Sequence, residues 1–315
     1  HIRESGSSAM QEIAFTFSDA RAYLDQAIER GMSVDDVAPT LFTFLSSNME
    51  FMPEVAKFRA ARRVWAKLMR ETYGSKDPRS EQLRIFAFTA GSSLTAQQPL
   101  NNVVRTSIEA LAAAMGGCQT MHVCAFDEAL GVPTEAAATL ALRTQQIVAF
   151  ETGVTDLVDP LGGSELLERL TDELEAEVMI EMDKIADLGG ALACIESGYF
   201  ATRLSDSAFE TATAIDTGKQ KVVGVNSFVS DTAEFEVFTI DQESEARQIE
   251  ALLHTKEKRD QSQVTHTLEG LSTAAHEGIN IVPAVVLAVK AYATVGEITD
   301  VLREVYGKWE PTSNF

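Results

Sequence analysis

Gly116–Glu135, GGCQTMHVCAFDEALGVPTE, is the stretch whose reading decides the fold. Its opening glycines stop a helix, because glycine takes up the left-handed backbone that commonly ends one. The run Thr120–Phe126 has strand character, and Pro133-Thr134-Glu135 opens the next helix. The stretch is therefore a strand-to-helix unit with the acidic pair Asp127-Glu128 just past its strand. In parallel α/β folds the residues beyond the carboxyl ends of the strands face a shared pocket. That position makes Glu128 a candidate for chemistry or cofactor contact, and a carboxylate capping the following loop or helix is the competing structural role.

Working outward, the same unit recurs. Apolar residues at helical spacing, Met10, Ile13, Phe17, Leu24 and Ile28, predict a first helix that ends at Gly31. Leu41–Ser46 reads as a strand, followed by a helix over Pro53–Tyr73 with Val55, Phe58, Trp65 and Leu68 on one face and a stop at Gly74. Arg84–Thr89 is the next strand, and Leu100–Met115 the next helix, its inward face expected at Val104, Ile108, Leu111 and Met115. The helix after the opening stretch runs to Phe150. Strand–loop–helix units of roughly 35–45 residues imply parallel strands with right-handed crossovers. A doubly wound sheet and a barrel both satisfy that pattern, and the strands in hand are too few to close a barrel of eight.

From Ser164 onward the pattern is helical. An acidic helix runs to Leu188 and breaks at Gly189-Gly190. Strand-like segments are expected at Lys221–Asn226 and Glu234–Ile240, followed by helices over Glu243–Arg259, Val264–Ala275, Pro283–Ala293 and Glu297–Tyr306. Thr294-Val295-Gly296-Glu297 has the form of a capping box. The chain thus divides into a strand-bearing domain, residues 1–163, and a helical linker or docking region, residues 164–315.

Composition narrows the function. The 315 residues, 45% of them hydrophobic, suffice for a sizeable core. With 47 acidic against 26 basic residues and a net charge of −21, nucleic-acid phosphates and anionic membranes are poor partners. Lys57, Arg59, Arg62 and Arg63 form a local basic cluster that either holds an anion or pairs with acids and solvent. Cys118, Cys124 and Cys194 are too few and too scattered for a disulfide framework or a metal knuckle, which fits a reducing cytoplasm. The apolar stretch Ile281–Ala293 is short and interrupted by Pro283 and Lys290, so no bilayer span is expected. His122, His254, His266 and His276 lack metal-ligand spacing. Cys124 has no base beside it and reads as a small buried residue, and Gly91-Ser92-Ser93 lacks the ending of a P-loop.

Long segments of the chain also resemble a known family. HIRESG, AKFRAARRVWAKL, FTAGSSLTAQQPLNNVVRTSIEALAAAMGG, CQTMHVCAFDEALGVPTEAAATLALRTQQIVAFETGVTDLVDPLGGS and TAAHEGINIVPAVVLAVKAYATVGEITDVLREVYG occur in the order found in adenosylcobalamin-dependent acyl-CoA mutases. This is the methylmalonyl-CoA mutase family, and the wording AQQPLNN and ALRTQQIVAFE is most similar to its split isobutyryl-CoA and 2-hydroxyisobutyryl-CoA members. The resemblance implies an α/β fold, the C-terminal part of a (β/α)8 TIM barrel followed by a mainly helical region. It implies an isomerase that rearranges the carbon skeleton of an acyl-CoA by radical chemistry, with adenosylcobalamin as cofactor. No Asp-x-His-x-x-Gly cobalt-ligand motif occurs in the sequence, so a separate cobalamin-binding small subunit or domain is the expected partner, in an oligomer. Earlier barrel strands are expected upstream of His1, the C-terminus is expected to be natural, and the 315-residue chain alone is expected to be inactive.

The resemblance also assigns residues. His1 matches the histidine that hydrogen-bonds the thioester carbonyl. Glu4, Gly91, Glu128 and Ala129 match cobalamin or adenosyl contacts, with Glu128 as the carboxylate that holds the adenosyl ribose. Three departures stand out: Thr40-Leu41-Phe42 replaces Arg-x-Ser, Phe86-Ala87-Phe88 replaces His-x-Gln, and Cys124 replaces Asn. The aromatic replacements predict that Phe86 and Phe88 share one face of their strand and line an apolar substrate pocket. A non-catalytic homologue that keeps the fold for subunit assembly is the alternative reading.

Overall fold

The computed structural model describes residues 1–230, 235, 237–239 and 241–310. Its packing forms two compact units, one covering His1–Phe238 and one beginning at Thr239.

The first unit is built on a parallel sheet in the order β1 (Thr43–Ser47), β2 (Ile85–Thr89), β3 (Thr120–His122). Helices connect the strands as the alternation predicts. Helix α1 (Ala9–Glu29) and the short α2 (Val34–Val37) precede β1. Then α3 (Phe51–Lys67), extended by a π-helical turn over Leu68–Thr72, links β1 to β2, α4 (Asn101–Gly116) links β2 to β3, and α5 (Glu135–Glu151) follows. Helix α1 begins in a capping box, Ser8 accepting from the Gln11 N–H while Gln11 returns the contact to the Ser8 N–H. Gly117 (φ +82°) ends α4 in the left-handed conformation expected of it.

Ile85, Ala87 and Leu45 pack with Phe17, Phe58, Trp65 and Met69 in one buried cluster between sheet and helices. The alternate residues Phe44, Phe86 and Phe88 point to the other face, as period-two geometry requires. Phe86 pairs in register with Phe44, their ring centroids 5.0 Å apart, and Phe42 stacks on Phe44 at 5.4 Å. Phe86 and Phe88 therefore share one face of β2.

Helices α6 (Glu165–Asp187), α7 (Gly190–Glu196) and α8 (Tyr199–Asp216) follow. Val178, Met182, Ile185 and Cys194 join the same core, so residues just past 163 are integral to the strand-bearing unit. In the second unit, α10 (Gln261–His276), α11 (Val282–Lys290) and α12 (Val295–Tyr306) bury Leu271, Ala288 and Ile298 together, with α9 (Gln242–Lys258) preceding them. The capping box at Thr294 and Glu297 is present at the start of α12.

Four expectations need correction. First, β3 stops at His122, because Cys124 turns its N–H onto the Thr89 hydroxyl (2.8 Å) instead of continuing the ladder. Glu128 thus lies in a turn six residues past the strand. Second, Lys221–Asn226 is a turn with an isolated bridge between Val223 and Ser227. Asn226 uses its side chain to accept from the Val222 N–H and to donate to the Ile215 and Gln220 carbonyls, and this outweighs the β-branched composition. Third, Glu234–Ile240 lies partly outside the described residues, and residues 235 and 237–239 are not in a strand. Fourth, α4 turns a polar face inward: Asn102, Arg105, Thr106 and Glu109 are buried beside Ala110 and Ala113, while Val104 is exposed. Of the expected inward residues, Leu111 and Met115 pack against buried clusters, so apolar counting finds part of the buried surface and misses the polar part that carries hydrogen-bonding work.

Candidate functional site

The carboxyl ends of β1 and β2, the loop after β3 and the N-terminal turn over residues 2–6 meet at one place. Glu4 reaches from the N-terminal turn to the loop after β2, where its two oxygens accept the N–H groups of Gly91 (3.0 Å) and Ser92 (2.7 Å). Those amides begin a short 3-10 turn, Gly91–Ser93, and unpaired N–H groups at such an end favour an anion. Gly6 (φ +98°) lets the N-terminal turn close against α8, since a Cβ there would sit 2.5 Å from the Ala208 Cβ. On the far side of Gly91, Glu128 comes so near that a Cβ on the glycine would lie 2.6 Å from Glu128 Oε1 and 3.6 Å from Glu4 Oε2. Two carboxylates thus flank a bare stretch of backbone.

The loop that carries Glu128 is fixed from both ends. Asp127 is buried and accepts from the Thr134 N–H and hydroxyl, both at 2.9 Å, tying the loop to the start of α5. Asn102, fully buried on α4, donates to the Phe126 carbonyl (2.8 Å) and the Thr95 carbonyl (2.9 Å), joining the loops after β2 and β3. Beneath Glu128, the Cys124 thiol lies 3.0 Å from the Thr89 carbonyl. Burial pushes that thiol up, and the neighbouring Glu128 carboxylate adds to the effect, so Cys124 is a neutral packing group and no nucleophile at ordinary pH.

A buried charge network supports the N-terminal turn. Lys57, fully buried on α3, pairs with Glu12 Oε2 (2.7 Å) and Glu54 Oε2 (2.6 Å) and donates to the Ser46 carbonyl. Glu12 Oε1 accepts the Ser46 N–H at 2.7 Å, fastening α1 to β1. Arg3 pairs with Glu54 (3.4 Å) and donates to the Ser7 carbonyl, which sets the residue before Glu4. The rest of the basic cluster is structural too. Arg59 pairs with Asp159 and Glu168, Arg63 with Asp172 and Glu175, and Arg62 donates to the Gly116 carbonyl at the end of α4. Pairing with acids is observed for Lys57, Arg59 and Arg63, while Arg62 is taken up by backbone carbonyls.

Of the residues singled out from sequence, Glu4, Gly91 and Glu128 converge. Ala129 follows Glu128 on the exposed side of its turn. His1 is exposed, and its carbonyl accepts from the Ser5 N–H (3.0 Å), while its imidazole makes no hydrogen bond among the described residues. Phe86 and Phe88 lie on the helix-free face of β2, below the loop that holds Gly91. Sequence reasoning missed Asn102 and the buried Glu109, and it gave Glu4 no structural task. The second Asn of AQQPLNN at a helix start was the available signal for Asn102. Among the described residues, no group of three or more His, Cys, Asp or Glu could hold a metal ion, and no helix is long and apolar enough to cross a membrane.

Comparison with known proteins bears on what this arrangement does. A family model described as methylmalonyl-CoA mutase matches residues 1–308. The chain is 41% identical to the 2-hydroxyisobutanoyl-CoA mutase large subunit of Aquincola tertiaricarbonis, over 100% of this chain and 57% of that protein. It is 40% identical to the methylmalonyl-CoA mutase large subunit of Streptomyces virginiae (98% of this chain, 43% of that protein), and 39% identical to the mitochondrial methylmalonyl-CoA mutase of Homo sapiens (98% and 42%). The chain spans about half the length of the curated relatives it matches.

Proposed function

The chain belongs to the methylmalonyl-CoA mutase family, and from that premise we propose that it is part of an adenosylcobalamin-dependent acyl-CoA mutase acting in the cytoplasm. The observation that carries the reading is the convergence of Glu4, Gly91 and Glu128 at the carboxyl ends of parallel strands, where α/β enzymes place their chemistry. The three parallel strands are read as part of a (β/α)8 barrel, and the segment past residue 163 as part barrel support, part docking region for a cobalamin-binding subunit or domain.

The site fits the cofactor's shape. Gly91 presents backbone without a side chain, and the space a Cβ would fill is bordered by two carboxylates. A flat macrocycle can approach such a surface, and Glu128 can accept from ribose hydroxyls beside it. When bound, adenosylcobalamin supplies the carbon radical that removes and returns a substrate hydrogen. The chain's own residues bind, orient and shield. Glu4 fixes the loop under the cofactor, Glu128 holds the adenosyl sugar with Ala129 alongside, and His1 donates one hydrogen bond to the thioester carbonyl. Phe86 and Phe88, extended by Phe44 and Phe42, give an apolar wall along the substrate's path and exclude water.

The test is turnover of methylmalonyl-, isobutyryl- and 2-hydroxyisobutyryl-CoA by the full large subunit with its cobalamin partner. Rearrangement of at least one is expected. The aromatic stripe, which offers no hydrogen bonds to a CoA ester, favours a second reading as a non-catalytic assembly subunit. Cofactor bound with no turnover of any acyl-CoA would select that reading.

A further inference from the structure

A cavity of about 610 Å³ adjoins the Gly91–Ser93 turn, with Ser92 and Ser93 in its wall. The loop after β1 contributes Asn48 to the lining, and the start of α4 contributes Asn101 and Val104. The facing wall is the turn over residues 220–225. That turn is held from both sides. Arg105, buried on α4, donates to the Val223 carbonyl (2.7 Å), and Asn226 donates to the Ile215 carbonyl (2.7 Å) at the end of α8. Segments far apart in sequence thus build one preformed space.

Hydrogen-bond directions show what the space is made to meet. The Asn48 oxygen accepts the Met49 N–H (2.7 Å), which leaves the Asn48 amino group to donate. Gln98 donates through Nε2 to the Phe228 carbonyl (3.1 Å) and the Ser230 hydroxyl (2.9 Å), so its oxygen faces Asn101 and accepts from Asn101 Nδ2 at 2.9 Å. That chain of contacts fixes the Asn101 amide and leaves its oxygen without a donor among the described residues. The lining therefore offers one donor and one acceptor beside aliphatic side chains such as Val104 and Val223. A primary carboxamide on a short hydrocarbon arm is the complement: its oxygen accepts and its NH2 donates. The cations that border the cavity are Arg3, Arg105 and Lys221. Arg3 is paired with Glu54, and Arg105 is engaged by Asn102, Thr95 and Val223, which leaves Lys221 as the charge an anionic ligand would seek.

We propose that this cavity receives a primary-amide side arm from the edge of the corrin, Asn48 donating to the arm's oxygen and Asn101 accepting from its NH2. The inference rests on the cofactor reading given above, because continuity with the Gly91 surface, through Ser92, selects this occupant. A corrin is fringed with acetamide and propionamide arms, and a ring seated on Gly91 brings that fringe to the neighbouring residue. The turn over residues 220–225 thereby becomes part of cofactor recognition.

Two measurements test this. In the intact protein without cofactor, the side-chain NH2 resonances of Asn48 and Asn101 are followed by NMR during titration with propionamide and, separately, propionate. Propionamide is expected to shift both saturably, and propionate neither. With the cobalamin partner added, adenosylcobalamin and its monocarboxylates, each with one propionamide hydrolysed, are titrated by visible absorbance. One of the monocarboxylates should bind about tenfold more weakly than the parent cofactor, the scale of a lost hydrogen bond. Val104→Phe fills the cavity from a largely exposed position and removes no hydrogen bond, so it should fold, bind adenosylcobalamin about tenfold more weakly, and no longer distinguish that monocarboxylate. Propionate shifting the asparagines as strongly as propionamide would overturn the proposal in favour of an anion site at Lys221. Val104→Phe binding every cofactor form like the parent would overturn it outright. Propionamide shifts as expected, with no cobalamin bound by the assembled protein, would keep an amide site and sink the cofactor reading from which its occupant is drawn.

Discussion

Glu128 Oε1 occupies the space where a side chain on Gly91 would begin, 2.6 Å from the ideal Cβ position. The atom met is the end of a flexible side chain, and the glycine does not need a left-handed backbone, so Gly91→Ala should fold. We expect a stability loss below about 1 kcal/mol in thermal melts. Glu128 must swing away, and adenosylcobalamin affinity of the assembled enzyme should fall about tenfold, equivalent to about 1.4 kcal/mol. An alanine variant that binds cofactor like the parent would show that the Gly91–Glu128 approach is incidental.

Lys57 offers a harsher test of the frame. It is a fully buried cation shared by Glu12 and Glu54, and its removal would leave buried Glu12 with no matching charge and Glu54 with Arg3 alone, at 3.4 Å. Breaking a buried pair in this way costs about 3–5 kcal/mol. Lys57→Met should therefore lower the denaturant midpoint sharply. A triple change that also makes Glu12 and Glu54 glutamine should recover part of the loss. If the single variant melts with the parent, the network contributes nothing to stability.

These two relationships differ in how far the sequence exposes them. Apolar spacing locates α1 and α3 to within a few residues, because their faces are filled by Ile13, Phe17, Val55 and Phe58. The same counting finds Leu111 and Met115 on α4 but misses the polar part of its buried side, which carries Asn102, Arg105 and Glu109. A polar inward face looks like a solvated one until its partners are known, and those partners, Phe126 and Val223, come from distant loops. Family wording brings out Glu4, Gly91 and Glu128 one by one. That Glu4 clamps the amides of Gly91 and Ser92 depends on folding across 87 and 88 positions, which no local pattern encodes. The early end of β3 has a similar cause, since the competing acceptor for the Cys124 N–H is a threonine hydroxyl 35 residues earlier.

In the second unit, Arg259 donates to both oxygens of Glu297, at 2.8 and 2.6 Å, and Glu297 also closes the capping box on Thr294. Arg259 holds the Glu297 carboxyl down to about 2, with the Thr294 contacts adding to it. A carboxylate depressed in the folded state contributes stability that is present above its unfolded value near 4.5 and is lost as pH falls toward about 2. Melts of the helices from Thr239 onward should thus weaken from pH 5 to pH 2, and Glu297→Gln should flatten that dependence while costing about 1–3 kcal/mol at pH 7. An unchanged acid limb in the glutamine variant would assign the weakening to other groups.

Glu128 carries the sharpest functional expectation. Its backbone is fixed by a turn in which the Glu128 N–H donates to the Ala125 carbonyl (3.1 Å) and Leu130 to Asp127 (2.8 Å), so removing the carboxylate leaves the loop in place. A hydrogen bond to a charged acceptor is worth about 1.5–3 kcal/mol, which corresponds to roughly ten- to a hundredfold in rate. Glu128→Ala in the assembled enzyme should lose that much turnover with no change in melting temperature. Glu128→Gln keeps an acceptor oxygen and should lose less. The order matters more than the size: the thiol of Cys124 packs against the same carboxylate, so a purely packing role predicts that glutamine behaves as the parent and alanine loosens the loop. Amide exchange at Ala125–Leu130 decides between them. Slow exchange with reduced turnover in the alanine variant supports the ribose contact, and fast exchange with turnover equal to the parent rules it out.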